Sequence, residues 1–264
     1  MTTANDAMWN LTQDQWSSVL QSGEDPASVA ARLRKYGMFV PWSQTLVDET
    51  ADCVTTIDLG CGRGEHSAVL ARAGRETTLV DWSQENLDFC TGLYRTMGLT
   101  GKFCRADITR PLPFESNSID AVFSCGVFEY FTAAQIDAIM AEAFRVARKR
   151  VIIMVPNARA IGYRLGKWYM EQRGRWEWGG EVPSSTLAPH FARAGAASVR
   201  EFSMGGLHSV GFLAALPAGD MLVRTLTSAF RLTKHGRPSR LSQGYLLVTV
   251  GEKTGARAIE SPVR

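Results

Sequence analysis

Several protein classes are argued against by what this chain has little of. The formal net charge is only +3 over 264 residues, whereas proteins that live on nucleic acid carry a much larger basic excess. Cysteines are few and odd in number: Cys53, Cys61, Cys90, Cys104 and Cys125. No two form a CxxC pair, and no histidine stands beside them at metal-ligand spacing. That pattern fits free thiols in a reducing compartment, the cytoplasm, rather than a disulfide framework or a zinc site. No metal is expected. The opening residues, with Asn5, Asp6 and Asn10, have neither the cationic start nor the apolar core of a secretory signal. Residues 202–219 carry no charge, yet glycines, His208 and Pro217 interrupt them, and a spanning helix needs about 20 mainly apolar residues. What remains, 45% hydrophobic and 21% charged residues, suits one α/β domain with elaborations.

From residue 54 to residue 155, short apolar runs alternate with helical patterns, the signature of a parallel sheet with crossover helices. Residues 54–59 predict the first strand and 65–73 a helix, closed by Gly74 in the left-handed conformation. A second strand at 77–80 ends in Asp81. Leu87, Cys90, Tyr94 and Met97 then share a helix face before Gly98 stops it. The third strand is expected at 102–105, followed by Asp107, and the fourth at 119–124. Thr132 and Gln135 match a capping box, in which two free amides are satisfied reciprocally. Ile136, Ile139, Met140, Ala143, Phe144 and Ala147 keep the helical period after it. The unbroken apolar run 151–155 predicts a strand buried on both faces.

Beyond Pro156 the rhythm breaks, and 157–182 mixes aromatics with arginines and glycines. A helix is expected from about Thr186, because Pro189 is tolerated only within a first turn; Gly195 ends it. Strands follow at 198–203 and 245–250, the latter antiparallel. The chain thus divides into an N-terminal helical cap at 1–50, a core at 51–204 and 243–252, insertions at 157–182 and 205–242, and a tail at 253–264.

Ligands of open α/β sheets bind beyond the carboxyl ends of the strands, near the point where strand order reverses. Glycines 60, 62 and 64 follow the first strand and permit a tight turn and close backbone approach. Their spacing is GxGxG, with Glu65 where a dinucleotide-binding GxGxxG needs glycine. A dinucleotide site offers a helix N-terminus to a pyrophosphate; Asp58 and Glu65 would repel that group and favour a cationic ligand with an amino group. Asp81 is placed to accept from both ribose hydroxyls. Trp82 offers a flat face to an adenine ring, or simply packs. Asp107 can accept from an exocyclic adenine amine, with the Ile108 amide available to a ring nitrogen. Cys61 and Cys125 line the same pocket as small buried thiols without a redox role.

The run Thr56-Ile57-Asp58-Leu59-Gly60-Cys61-Gly62-Arg63-Gly64 resembles motif I of class I S-adenosylmethionine-dependent methyltransferases. Val80-Asp81 resembles their ribose-binding acid, and Ala106-Asp107-Ile108 their adenine-binding acid. Residues 112–124, beginning Leu112-Pro113-Phe114, are similar to the fourth-strand signature of the small-molecule (type 11, ubiquinone-biosynthesis-like) subgroup. Gly126-Val127-Phe128-Glu129-Tyr130-Phe131 continues it, with Tyr130 where that subgroup often has histidine. The resemblance covers 54–155 well and 181–203 loosely, and it is nearly silent on the substrate. It implies a doubly wound, Rossmann-like α/β sheet of seven strands, mostly parallel with an antiparallel seventh, plus helical cap and lid insertions. It implies S-adenosylmethionine as cofactor and S-adenosylhomocysteine as product, held by Asp58, Gly60, Cys61, Gly62, Asp81, Trp82, Asp107, Ile108 and Cys125. Methyl transfer asks mainly for alignment, worth roughly 7–11 kcal/mol; a base is needed only for a protonated amine or a poorly acidic hydroxyl.

The acceptor is expected to be a small molecule, bulky or anionic, methylated on oxygen or nitrogen. Residues 157–182 read as a lid over it, since long loops in compact domains are often functional; the alternative is a packed, solvated excursion. Tyr163, Lys167, Trp168, Tyr169 and His208 are the substrate-binding candidates. Glu181, at the end of the lid, can orient or deprotonate an acceptor. His208 and His66 are the other catalytic candidates, each with a structural alternative, and His190 lies early in a late helix. Leu222, Leu226 and Phe230 share a helix face near Arg224, Arg231, Lys234, Arg237 and Arg240. That is an ordinary helix with a basic side, or one that meets anionic lipid or an acidic substrate group. Tyr36, Phe39 and Trp42 close over the cofactor or cap the sheet.

Three other classes compete. A dehydrogenase would need GxGxxG. An RNA or protein methyltransferase would normally show an Asn/Asp-Pro-Pro-aromatic tetrapeptide where this chain has Cys125-Gly126-Val127-Phe128. A regulator that binds the cofactor without turnover has the same sequence signature.

Overall fold

A computed structural model of the protein describes residues 24–37, 40–232 and 244–254. Phe39, Lys234, Arg237 and Arg240 lie outside those residues, as do the side chains of Phe230 and Arg231.

Alternation builds the sheet. Along β1 (Thr55–Leu59), β2 (Glu76–Asp81), β4 (Ile119–Cys125) and β5 (Ala147–Pro156), successive side chains point to opposite faces. Val80, Val122, Val151 and Ile153 therefore join one core with Ile136, Met140 and Phe144. Phe123, Ile152 and Met154 join another with Leu46 and Val248. With β3 (Lys102–Arg105), β6 (Ser198–Met204) and β7 (Leu246–Glu252), the sheet has seven strands in the order β3-β2-β1-β4-β5-β7-β6. The first five are parallel, and β7 runs antiparallel between β5 and β6. Strand order reverses between β1 and β4, which sets the ligand crevice at their carboxyl ends.

Helices cover both faces. Ser83 caps α4 (Gln84–Met97) by accepting from the Asn86 amide, and Gly98 ends it at φ +68. Thr132 and Gln135 form the expected box at the start of α5 (Ala133–Val146). α3 (Glu65–Arg72) follows the glycine turn. Before the sheet, α1 (Pro26–Tyr36) begins with an Asp25 cap and packs Val29 and Leu33 near Leu79 and Leu93. α2 (Pro41–Glu49) sets Trp42 and Leu46 on the other core.

The structure departs from the sequence reading in three places. β5 starts at Ala147, not 151, because Arg150 is wholly buried between Asp52 at 2.9 Å and Glu252 at 3.2 Å. A charged residue held this way extends a strand that apolar pattern alone truncates. Helices also stand where none was read: 157–182 holds α6 (Ile161–Gln172), and 205–242 holds α8 (Gly206–Gly211) and a 3₁₀ turn at Phe212–Ala215 ahead of α9 (Gly219–Leu232), the helix expected from Leu222 and Leu226. Finally, the helix expected from about Thr186 is α7 (Ala188–Arg193), with Pro189 in its first turn. Among the described residues no helix is long and apolar enough to cross a membrane.

Candidate active site

The turn after β1 is held from both sides. The Gly60 and Cys61 amides donate to the Val80 carbonyl at 2.8 and 3.0 Å, and Ser124 Oγ donates to the Leu59 carbonyl at 2.6 Å. Gly60 adopts φ +71, and a Cβ there would stand 2.8 Å from Val127 Cγ2. Gly64 opens α3 at φ +69, where a Cβ would meet Leu79 Cδ2 at 2.6 Å and Cys90 Sγ at 2.7 Å. Only glycine fits either position. Gly62, by contrast, has open space where a side chain would be.

Two buried acids flank this turn. Asp58 accepts from Ser67 Oγ at 2.8 Å; burial pushes its carboxyl up to about 7, against the Ser67 bond and with help from the Asp81 charge. Asp81 Oδ2 accepts from the Gly62 amide at 2.9 Å, and Oδ1 from the Ser83 amide and Asn86 Nδ2 at 2.9 and 3.2 Å. Burial also raises Asp81, although those bonds oppose it. Beside them Trp82 is 41% exposed, a large ring left facing solvent at the end of β2. Asp107 is exposed, its Oδ1 accepting from the Thr109 amide and hydroxyl, while Ile108 is buried. Glu65 does not add free negative charge to the turn as the sequence suggested: Arg32 of α1 pairs with it at 3.3 Å. Cys61 and Cys125 are free, half-buried thiols held protonated mainly by desolvation. His66 Nδ1 lies 3.1 Å from Ser43 Oγ on α2, and burial lowers its pKa to about 4. His190 pairs with Asp137 of α5 at 2.7 Å.

The acceptor candidates separate by helix face. Tyr163 and Lys167 point inward from α6 and are buried, and Tyr163 donates to Glu181. Lys167 pairs with Glu171 and lies 4.4 Å over the Trp176 ring. Trp168 is 56% exposed on the opposite side of α6, and Tyr169 lies under the Arg173 guanidinium. His208 stacks edgewise on Trp42 and Phe212 and tilts against Tyr245 at 4.9 Å; burial lowers its pKa. Tyr36 is exposed, whereas Trp42 is buried in this ring cluster.

One acid escaped the sequence reading. Glu129, in the 3₁₀ turn after β4, is almost fully buried, and its Oε2 has no hydrogen-bond partner among the described residues. The Val182 amide donates to the Glu129 carbonyl at 2.9 Å, which brings Glu181 alongside. Burial drives both carboxyls above their ordinary range, and the Glu181 charge adds to the effect on Glu129. An acid set among Phe128, Tyr130 and Phe131 was the only signal for it in the sequence.

Residues 56–150 match the family model described as a methyltransferase domain. No curated protein matches the chain. A SAM-dependent methyltransferase from Archaeoglobus fulgidus is 17% identical, with 87% of this chain and 95% of that one covered at a TM-score of 0.54. Magnesium protoporphyrin IX methyltransferase from Synechocystis PCC 6803, solved with bound SAH, is 15% identical, with 91% and 93% covered at 0.54. A protein from Pyrococcus horikoshii OT3 is 15% identical, with 86% and 91% covered at 0.56. At these identities the structures speak for the shared fold. Residues 56–150 are thus similar to a methyltransferase domain, and the solved structures share its fold.

Proposed function

We propose that the protein transfers the methyl group of S-adenosylmethionine to an oxygen or nitrogen of a small-molecule acceptor, and that it is of the type 11 subgroup that residues 112–131 resemble. The observation that carries this reading is the pair of buried acids, Asp58 and Asp81, around the open Gly62 turn at the point where strand order reverses. A phosphate-bearing dinucleotide would meet like charge there. A ligand with an ammonium and a sulfonium instead favours the ionised form of both carboxyls and so opposes the burial that raises them, and the residues present fit this cofactor.

In this reading Asp81 holds the ribose through the unused capacity of Oδ2, Trp82 covers the adenine, and Asp107 with the Ile108 amide reads its edge. Asp58, Gly60, Cys61, Gly62 and Cys125 surround the methionine end. The bound cofactor supplies an electrophilic methyl group. The chain's own task is to align the acceptor and keep water out, and the insertions 157–182 and 205–242 form the acceptor side. Asp81→Ala should weaken S-adenosylhomocysteine binding by roughly tenfold to a hundredfold, the worth of one hydrogen bond to a charged group, with the protein still folded. Unchanged affinity by calorimetry would remove the ribose assignment.

A further inference from the structure

We infer that Glu129 and Glu181 form the acceptor subsite, and that it takes a basic nitrogen: a primary or secondary amine carried on an apolar or aromatic body. This rests on the cofactor reading above and names the acceptor class that reading leaves open.

Position is the first argument. Val127 abuts Gly60 of the cofactor turn, and Gly126, at φ +75, bends the chain so that Glu129 Oε1 comes within 3.7 Å of where a Gly126 Cβ would stand. The acid therefore sits over the end of β4, next to the turn assigned to the cofactor. Its Oε2 is the second argument. A buried carboxyl oxygen without a donor is costly to keep, and an N–H from a ligand removes that cost.

Charge and walls choose the ligand. Tyr130, Tyr163 and Tyr245 and the Cys125 thiol are all held protonated, mainly by burial and further by the Glu129 charge. Lys167 is committed to Glu171 and the face of Trp176. Its charge also reaches Glu181, but the carboxyls of Glu129, Glu181 and Glu171 outnumber it, so the site is hostile to a phosphate or carboxylate. Tyr163, which donates to Glu181, packs in one aromatic cluster with Trp176, Phe212 and Tyr245, ring centroids 5.1 to 6.2 Å apart. Aromatic faces attract ammonium groups and accept apolar bodies. An ammonium N–H directed at Glu129 Oε2 can pass its proton across: the N–H bond breaks, an O–H bond forms, and the electron pair stays on nitrogen as the lone pair methylation requires. Burial, which raises the Glu129 carboxyl, makes it a better proton holder than a surface glutamate.

The test uses the full chain saturated with S-adenosylhomocysteine and matched probes on three bodies: benzylamine, 2-phenylethylamine and tryptamine, against the corresponding alcohols and carboxylates. Calorimetry should show at least one amine binding about tenfold or more tighter than its alcohol and carboxylate, and Glu129→Gln should erase that preference. The isosteric variant should keep its S-adenosylhomocysteine affinity within about twofold. The inference is overturned if no amine binds, if the alcohols or carboxylates bind equally well, if the preference survives in Glu129→Gln, or if that variant instead loses the nucleoside. A wild-type chain that does not bind S-adenosylhomocysteine fails the cofactor reading itself, a separate result.

Discussion

Asp58, Asp81 and Asp107 could be singled out in the sequence because each lies at or just beyond the carboxyl end of a strand, and strand ends are where an open sheet places its ligands. Glu129 could not. What sets it apart is its surroundings, Glu181 and three tyrosines from the turn after β4, from α6 and from just before β7, and no local pattern reports a missing hydrogen-bond donor. Glu65 errs the other way: it looked like free charge until α1 brought Arg32 to it. Asp58 gives the clearest residue-scale expectation. Its ordinary value of 3.8 rises to about 7 on folding, through burial above all. The neutral form is therefore favoured by the fold, and the stability it contributes is full below the unfolded value and lost as pH rises through about 7. Asp58→Asn cannot ionise. Its denaturant-unfolding free energy should gain on wild type between about pH 4 and about pH 8, by on the order of 3 kcal/mol. Parallel curves would show that Asp58 ionises freely in the folded chain.

At the scale of elements, the core helices and strands were predictable and α6 was not. Ile161, Leu165 and Trp168 recur at helical spacing, which ordinarily marks the face turned to the core. They are instead 63%, 46% and 56% exposed, and the buried face carries Tyr163, Gly166 and Lys167. The reason is close backbone approach. A Cβ on Gly162 would stand 2.5 Å from the Ser209 carbonyl oxygen, and one on Gly166 would stand 2.3 Å from that of Phe212. The two insertions thus dock through glycines, not through a large apolar stripe. Gly166→Ala should part them at a cost of about 1–3 kcal/mol. Trypsin should then cut faster at Arg164, Arg173 or Arg175, with S-adenosylhomocysteine affinity unchanged. Cutting at the wild-type rate would mean that α6 does not depend on this contact.

For the whole molecule, the cofactor reading predicts linkage between binding and folding. S-adenosylhomocysteine at about a hundred times its Kd should add about 2.7 kcal/mol, which for a chain of this size raises Tm by about 5 °C or more. A melting curve that does not move at saturating nucleoside would count against the site. The sequence by itself determined the sheet, the capped helices around it and the glycine turn after β1, because strand alternation, capping residues and glycine spacing are local and repeat along the chain. Only the tertiary structure decided where β5 begins, which side of α6 faces inward, and that Glu129 Oε2 is left without a hydrogen-bond partner among the described residues. Those outcomes depend on Glu252, Phe212 and Glu181, each distant in sequence and brought close by packing; a linear pattern carries no term for contacts of that kind.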